Sequence, residues 1–139
     1  MRYPVTLTVQ SHPRMLAVVR ETVVRLAEAY GLPETERDAV RLAVDEACAN
    51  VIKHAYGGDT SCRITLKLGV TQNEFRVIIE DDGKKAGRAV FRGRDFDDVR
   101  PGGLGMHFIR RAFDSVSFDP KKKNGNRLVL IKRWGEDRG

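Results

Sequence analysis

The sequence is poor in cysteine and has no long apolar run. Its two cysteines, Cys48 and Cys62, have neither the spacing of metal ligands nor the pattern of a disulfide framework, which fits a reducing compartment. No apolar stretch reaches the roughly 18 to 20 residues that cross a bilayer, and residues 1–5 lack the apolar core of a signal peptide. We therefore expect a cytoplasmic protein with two inert thiols and no membrane partner.

Aromatic residues are also scarce, at 7% of the chain, and they form no cluster of the kind on which nucleic-acid bases stack. The chain carries 25 Lys and Arg against 19 Asp and Glu, for a net charge of +6. Such a charge attracts nucleic acids, phosphorylated ligands and acidic proteins alike. Because the basic residues do not gather on one predicted helix, nucleic acid is the least favoured of these partners.

What the sequence does contain is typical of one globular domain. Its 139 residues are 41% apolar and 32% charged, whereas a disordered chain would have far fewer Val, Leu and Ile residues. We find no internal repeat and no linker that would divide the chain. A single domain over residues 1–139 is therefore expected.

Periodicity and turn signals predict the order β-α-α-β-β-loop-α-β-β. The predicted elements are a strand at 3–9, helices at 13–30 and 33–54, strands at 62–70 and 74–80, a long loop or lid at 81–102, a helix at 104–113, and strands at 115–118 and 127–134. Ser11 is the predicted N-cap of the first helix. Because hairpins link most strands, we expect an α+β two-layer sandwich, with a mixed, mostly antiparallel sheet covered on one face by helices.

The second predicted helix carries a polar stripe beside its apolar stripe. Glu46, Asn50 and His54 fall at positions i, i+4 and i+8, next to an apolar row that includes Val44 and Ala47. If the apolar row docks on the sheet, a ligand could bind at the edge of that contact. The alternative is that these are solvated surface residues, with His54 favoured by the helix dipole.

Two further segments could carry chemistry. Asp81 follows a strand and could accept a hydrogen bond from an amino group, and Gly83 would allow a flat ligand to approach closely; an ordinary turn is the alternative. Residues 102–107 place glycines where a helix begins, so their backbone N–H groups could hold phosphate; a flexible linker or a helix stop is the alternative. Their spacing fits neither the Rossmann fingerprint nor the P-loop.

In this order, the three segments resemble the nucleotide site of the GHKL ATPases, which include gyrase B, histidine-kinase catalytic domains and the anti-sigma-factor serine kinases. Residues 46–56 resemble the N box (Glu-x-x-x-Asn-x-x-x-His-x-Tyr), residues 81–83 the G1 box and residues 103–106 the G2 box. The similarity is fairly close to the anti-sigma-factor kinases and covers nearly the whole chain. It implies the Bergerat ATP-binding fold.

The resemblance also implies roles for these residues, with ATP and Mg²⁺ as cofactors. Asn50 corresponds to the Mg²⁺ ligand and Glu46 to the general base that accepts a serine proton. The resemblance implies that Asp81 binds the adenine amino group and that the backbone of Gly103, Leu104, Gly105 and Met106 binds the phosphates. The other residues that it implies around the nucleotide are Asn50, His54, Gly83 and Lys85. One departure is Lys85, which stands where the usual G1 box has a second glycine.

The family's regulatory members suggest the function. At 139 residues we expect room for the nucleotide fold and little else, which favours a freestanding regulatory kinase over a sensor kinase or a topoisomerase. The resemblance implies a serine-protein kinase that binds a sigma factor or other target and phosphorylates a serine of a STAS-domain antagonist, a cycle called partner switching. Arg20 and Arg25 on the first helix are possible docking residues, and ordinary solvated arginine is the alternative. A homodimer through the sheet side is a further implication.

Two other functions remain open at this point. Lys85 in the G1 box also fits a non-catalytic module that senses ADP or ATP, and the net charge fits a nucleic-acid binder. We expect the positive charge to serve ATP and acidic proteins, because Lys84, Lys85, Arg88, Arg92 and Arg94 crowd the predicted lid. The lysines at 121–123 are expected on a turn distant from it.

Overall fold

Within the residues that the structure describes, five strands form one sheet and three helices pack on it. The structure is a computed structural model that describes residues 2–86 and 101–134, with the backbone alone over 101–105. The strands are β1 (Val5–Gln10), β2 (Arg63–Val70), β3 (Glu74–Asp81), β4 (Ser115–Phe118) and β5 (Asn126–Arg133). The helices are α1 (Leu16–Ala29), α2 (Glu34–Asn50) and α3 (Pro101–Ala112), with a 3-10 turn at Pro13–Met15 and a π-helical turn at Val51–Ala55.

The strand order is β1-β2-β3-β5-β4, and each of these neighbouring pairs is antiparallel. The β2–β3 hairpin sets Leu66 opposite Ile79, and the next pairing sets Ile79 opposite Leu128. Alternate residues of each strand therefore form apolar rows across the sheet on one face. The predicted α+β class and the hairpin are confirmed.

The core lies between these rows and the helices. α2 contacts both α1 and α3, so it is the central helix of its layer. Its apolar positions Val40, Val44 and Ala47 are buried, and they belong to the same cluster as Leu66 and Ile79. The helices therefore cover one face of the sheet, as the sequence predicted. None of the helices in the described ranges is both long and apolar enough to span a bilayer.

Both cysteines are free thiols. Cys48 is fully buried in the core, and burial raises the pKa of its thiol to about 12. Because the thiolate is the reactive form, Cys48 is inert at neutral pH. Burial also raises the pKa of Cys62, which is half-buried.

The opposite face of the sheet carries a network of charged side chains. Glu80 on β3 binds Arg127 on β5, with Oε2 to Nε at 2.5 Å, and Lys67 on β2, with Oε1 to Nζ at 3.3 Å. Arg127 continues the network to Asp119 at 3.0 Å. Burial raises the pKa of Glu80, but the hydrogen bonds from Arg127 and Lys67 outweigh it and hold that pKa below its ordinary value. Three strands are thus joined through side chains on this face.

Two local predictions are wrong. Ser11 is not a helix cap: it is buried, and its hydroxyl donates to Asp59 O at 2.7 Å and accepts from Cys62 N at 3.0 Å. The hydroxyl satisfies the backbone before β2, while His12 caps the 3-10 turn by accepting from Arg14 N at 3.1 Å.

The last described helix also begins earlier than predicted, at Pro101 and not near residue 104. Proline suits the first position of a helix because its missing N–H would have no intrahelical partner there. The predicted loop at 81–102 is therefore too long at its far end. Residues 87–100, including Arg88, Arg92 and Arg94 of the predicted lid, lie outside the described residues.

Candidate functional site

The polar positions of α2 lie beside its buried apolar row. Acidic residues in the first turn of the helix favour its start after Pro33, because they complement the positive end of the dipole. Glu46 and Asn50 follow one helical turn apart near its end, and both are half-buried. The predicted placement of these two polar groups at the edge of the core is therefore observed.

The amide of Asn50 connects α2 to α3. Its Nδ2 lies 4.0 Å from the sulfur of Met106, which is 4% exposed. In the described part of the chain, the amide oxygen of Asn50 accepts no hydrogen bond. A neutral amide oxygen of this kind is a suitable ligand for Mg²⁺.

The carboxylate of Glu46 is likewise available. It makes no hydrogen bond or ion pair with any described residue, although its side chain is half-buried. A carboxylate that no cation neutralises and no donor occupies can accept a proton from a hydroxyl group nearby. Glu46 and Asn50 therefore present a carboxylate and an amide oxygen on neighbouring turns, both without a partner among the described residues.

A π-helical turn continues α2 to Ala55, with Tyr56 N donating to Val51 O at 3.0 Å. Such turns are rare, and they occur frequently at functional sites. His54 lies in this turn and is exposed, and its side chain makes no hydrogen bond with a described residue. The turn leaves Ala55 O free to accept from Lys84 N at 2.8 Å. The end of α2 is thereby joined to the loop after β3.

Asp81 ends β3 on the helix-covered face, in the same row as Ile79. It is 3% exposed, and its Oδ1 accepts from Gly83 N at 2.9 Å and from Asn126 Nδ2 at 3.0 Å. Burial raises the pKa of Asp81 above its ordinary value, and this outweighs the hydrogen bonds from Gly83 and Asn126, which lower it. Asp81 is thus a buried carboxylate held by backbone and amide donors, with no cation paired to it among the described residues.

The loop after Asp81 is held on one side by the end of α2. The hydroxyl of Tyr56 accepts from Asp82 N at 2.9 Å and donates to Arg63 O. A Cβ added to Gly83 would lie 2.3 Å from Ala55 O. Glycine at position 83 was predicted to let a flat ligand approach, but the close neighbour that requires it is the backbone of Ala55.

The turn before β5 holds the same loop from the other side. Lys85 Nζ donates to Lys122 O, and Lys122 Nζ lies 3.7 Å from Asp82 Oδ1. Gly125 adopts φ +73°, and a Cβ there would lie 1.9 Å from Asp81 O. The prediction that the lysines at 121–123 are distant from this loop is therefore wrong for Lys122. Lys85 is exposed, and its ammonium group is engaged by the same turn.

The G2-like glycines lie at the start of α3. Because the helix begins at Pro101, Gly103 falls within its first turn, whereas Gly105 and Met106 lie past it. Only the N–H groups of the first turn lack intrahelical partners. Gly103 therefore keeps the backbone position that suits a phosphate, and Met106 contributes its buried side chain to the contact with Asn50.

The two arginines predicted on α1 differ in their surroundings. Arg20 Nη1 lies 2.6 Å from Asp45 Oδ1, and the two side chains are 33% and 30% exposed. Arg25 pairs with Glu28 at 3.1 Å on the same helix, and its side chain is 74% exposed. Arg20 therefore joins α1 to α2, while Arg25 is the more accessible cation.

Three residues that hold the site, Tyr56, Gly125 and Asn126, have structural roles that the sequence pattern did not predict. Asn126 is 7% exposed and pairs with Asp81 in the sheet register. One signal could have found it: Asn126 directly precedes Leu128 and Leu130 in an alternating row of β5 whose leucines are buried. A polar residue that extends a buried row needs a buried partner.

The family model for the histidine kinase-like ATPase domain matches residues 9–132. The chain belongs to this family. Two curated relatives of this histidine kinase-like ATPase domain are serine-protein kinases named RsbW. The one from Bacillus subtilis is 26% identical over 120 residues, which cover 81% of this chain and 75% of the relative. The one from Halalkalibacterium halodurans is 28% identical over 136 residues, which cover 92% of this chain and 82% of the relative.

A solved structure shares the fold of this histidine kinase-like ATPase domain. It is the histidine kinase domain from the Erythrobacter litoralis EL346 blue-light activated histidine kinase, with a TM-score of 0.56 and 14% sequence identity. The match covers 89% of this chain and 61% of that chain, so our chain spans about three fifths of that structure. The predicted GHKL fold and the resemblance to serine-protein kinases of this superfamily are confirmed.

Proposed function

We propose that this chain is an ATP- and Mg²⁺-dependent serine-protein kinase that phosphorylates a STAS-domain antagonist and also binds a sigma factor or equivalent target. One observation carries the proposal. The half-buried carboxylate of Glu46 and the amide oxygen of Asn50, one turn apart on α2, are both without hydrogen-bond partners among the described residues. The family and the names of its relatives support it.

The residues present fit ATP and Mg²⁺. Asp81 is a buried acceptor whose Oδ2 receives one hydrogen bond from the described residues, from Asn126 at 3.3 Å, so it can accept from an adenine amino group. Asn50 would hold Mg²⁺ through its amide oxygen, and the first turn of α3 at Gly103 offers backbone N–H groups to phosphate. When bound, Mg²⁺ neutralises charge on the phosphates during transfer.

The proposed reaction moves one phosphoryl group. The serine oxygen of the antagonist forms a bond to the γ-phosphorus of ATP, and the bond from that phosphorus to the bridging oxygen of ADP breaks. Glu46 accepts the proton of the serine hydroxyl. The products are phosphoserine, ADP and a protonated Glu46, which then releases its proton to water.

We place partner docking on α1. Arg25 offers an exposed guanidinium to an acidic partner surface, whereas an approach to Arg20 must compete with its ion pair to Asp45. A homodimer would use the sheet face that no described helix covers, and we expect the protein to act in the cytoplasm. Each of these assignments is part of the proposal.

A non-catalytic nucleotide sensor is the second candidate, favoured by the replacement of a G1-box glycine with Lys85. The lysine ammonium is engaged by Lys122 O, so it does not supply a charge directed at the base site. A sensor of this kind would bind ATP or ADP through Asp81 and leave its partner unmodified.

One experiment separates the two. The purified chain is incubated with ATP, Mg²⁺ and a STAS-domain protein encoded near it, and the partner is examined by intact mass spectrometry. A kinase adds one phosphate group to a serine of the partner, and omission of Mg²⁺ abolishes the addition. An unmodified partner, together with ATP binding in calorimetry, would leave the sensor as the function.

A further inference from the structure

The side-chain amide of Asn126 engages its nitrogen and its oxygen in hydrogen bonds inside the protein. Its Nδ2 donates to Asp81 Oδ1 at 3.0 Å and to Lys84 O at 2.8 Å, and its Oδ1 accepts from Ala86 N at 2.8 Å. An asparagine amide has two donor hydrogens and one acceptor oxygen, so both kinds of group are engaged. Rotating the amide by half a turn would set its oxygen against two acceptors, which fixes the orientation.

The donors around Asp81 are distributed unevenly between its two oxygens. Oδ1 accepts from Gly83 N at 2.9 Å as well as from Asn126, while among the described residues Oδ2 receives only the longer hydrogen bond of 3.3 Å from Asn126. A carboxylate oxygen can accept two hydrogen bonds. In the described part of the chain, Oδ2 therefore keeps most of its acceptor capacity, and its direction is set by the donors on Oδ1.

We propose that Asn126 is a positioning residue for a purine base, because it holds Asp81 with Oδ2 available as an acceptor for an exocyclic amino group. This inference rests on the proposed function, since it assumes a nucleotide at Asp81. Asn126 acts through Asp81 and does not bind the base, because its own hydrogens are already donated to Asp81 and Lys84.

The test combines a change in the protein with a change in the ligand. Asn126→Asp keeps the size and the acceptor for Ala86 N but replaces the donor to Asp81 with a second carboxylate. The ligands are ATP and purine riboside triphosphate, which lacks the exocyclic amino group. Asn124→Asp is the matched control, because Asn124 is exposed in the same turn and makes no side-chain hydrogen bond with a described residue.

Dissociation constants for both ligands are measured by titration calorimetry at one ionic strength. Asn126→Asp should weaken ATP binding by about tenfold or more, as expected for a lost hydrogen bond to a charged group, and should weaken purine riboside triphosphate much less. Asn124→Asp should change neither constant. A loss that is equal for the two ligands, or no loss, would overturn the role of Asn126 while the proposed function stands.

Two further arms keep the test decisive. If circular dichroism shows that Asn126→Asp does not fold, Asn126→Ala replaces it, because alanine removes the donors without adding charge. The preference of this variant for ATP over purine riboside triphosphate must also fall. An unchanged preference overturns the inference. If the wild-type chain binds neither ligand, the proposed function itself fails, and the role of Asn126 fails with it.

Discussion

Asp81 and Asn126 are paired across β3 and β5, and the amide of Asn126 donates to the carboxylate of Asp81 at 3.0 Å. Each is the polar end of an apolar row, after Ile79 in one strand and before Leu128 in the other. The pairing register that buries the core thus also sets the geometry of the candidate base site. A shift of register by one residue would separate the two side chains onto opposite faces of the sheet.

Glu46→Gln should bind ATP with wild-type affinity and lose phosphoryl transfer to a STAS partner by about 100-fold or more. Glutamine keeps the size of the side chain but cannot accept the serine proton. Transfer is measured with radiolabelled ATP, and binding by calorimetry. Glu34→Gln, at an exposed position in the first turn of the same helix, is the control and should transfer phosphate normally. Undiminished transfer by Glu46→Gln would remove Glu46 from the proposed reaction.

Asn50→Ala should abolish the part of ATP affinity that depends on Mg²⁺. The amide oxygen of Asn50 is the cation ligand that we propose on α2, so the variant should bind ATP equally with Mg²⁺ and with a chelator present. Calorimetry under both conditions measures this difference. Asn124→Ala should retain the Mg²⁺ effect of the wild type. If Asn50→Ala keeps that effect too, the cation is held elsewhere.

Gly125→Ala should destabilise the fold more than Gly58→Ala. Both glycines have positive φ, at +73° and +88°, so alanine at either position costs about 1 kcal/mol of backbone strain. Nothing lies within 4 Å of a Cβ at Gly58, whereas a Cβ at Gly125 would lie 1.9 Å from Asp81 O. Overpacking should add about 1 to 3 kcal/mol at Gly125, measured by urea denaturation. Equal losses for the two variants would show that the turn adapts freely.

Glu80→Gln should lower the free energy of unfolding by about 1 kcal/mol at pH 7. The native pKa of Glu80 is depressed, so its contribution to stability is present above the unfolded pKa of about 4.3 and is lost as pH falls through the native pKa. The difference in the free energy of unfolding between variant and wild type should therefore become smaller below about pH 4. Urea titrations of the variant and the wild type at pH 7 and in the acid range measure this difference. A gap independent of pH would mean that the ion pairs to Arg127 and Lys67 contribute nothing.

Much of the fold follows from local patterns in the sequence. Alternation over β2 and β3, and the 3.6-residue period over α2, predict the elements, their order and the face that each buries, because burial of apolar area selects these periods. The polar positions Glu46 and Asn50 were found in the same way, since they stand beside an apolar row. Their chemical roles came from the resemblance.

The contacts that hold the site together were not predictable from such patterns. Asn126 lies 45 residues after Asp81, and Tyr56 lies 26 residues before Asp82. Each contact therefore depends on how elements that are far apart in the sequence pack together. Glycine is also required at positions 83 and 125 because backbone atoms of Ala55 and Asp81, which are far away in the sequence, lie close to them in space. Ser11 failed as a predicted cap for the same reason, because its hydroxyl is taken by the backbone before β2.

The dependence of the base site on β5 has a consequence for folding. The site is complete only in molecules whose β5 has joined β3, because Asn126 comes from one strand and Asp81 from the other. A ligand bound at Asp81 would therefore be a ligand of the fully folded state, and it would raise the free energy of every opening that detaches β5. Saturating nucleotide should slow amide hydrogen exchange along the whole of β5, including positions far from the base.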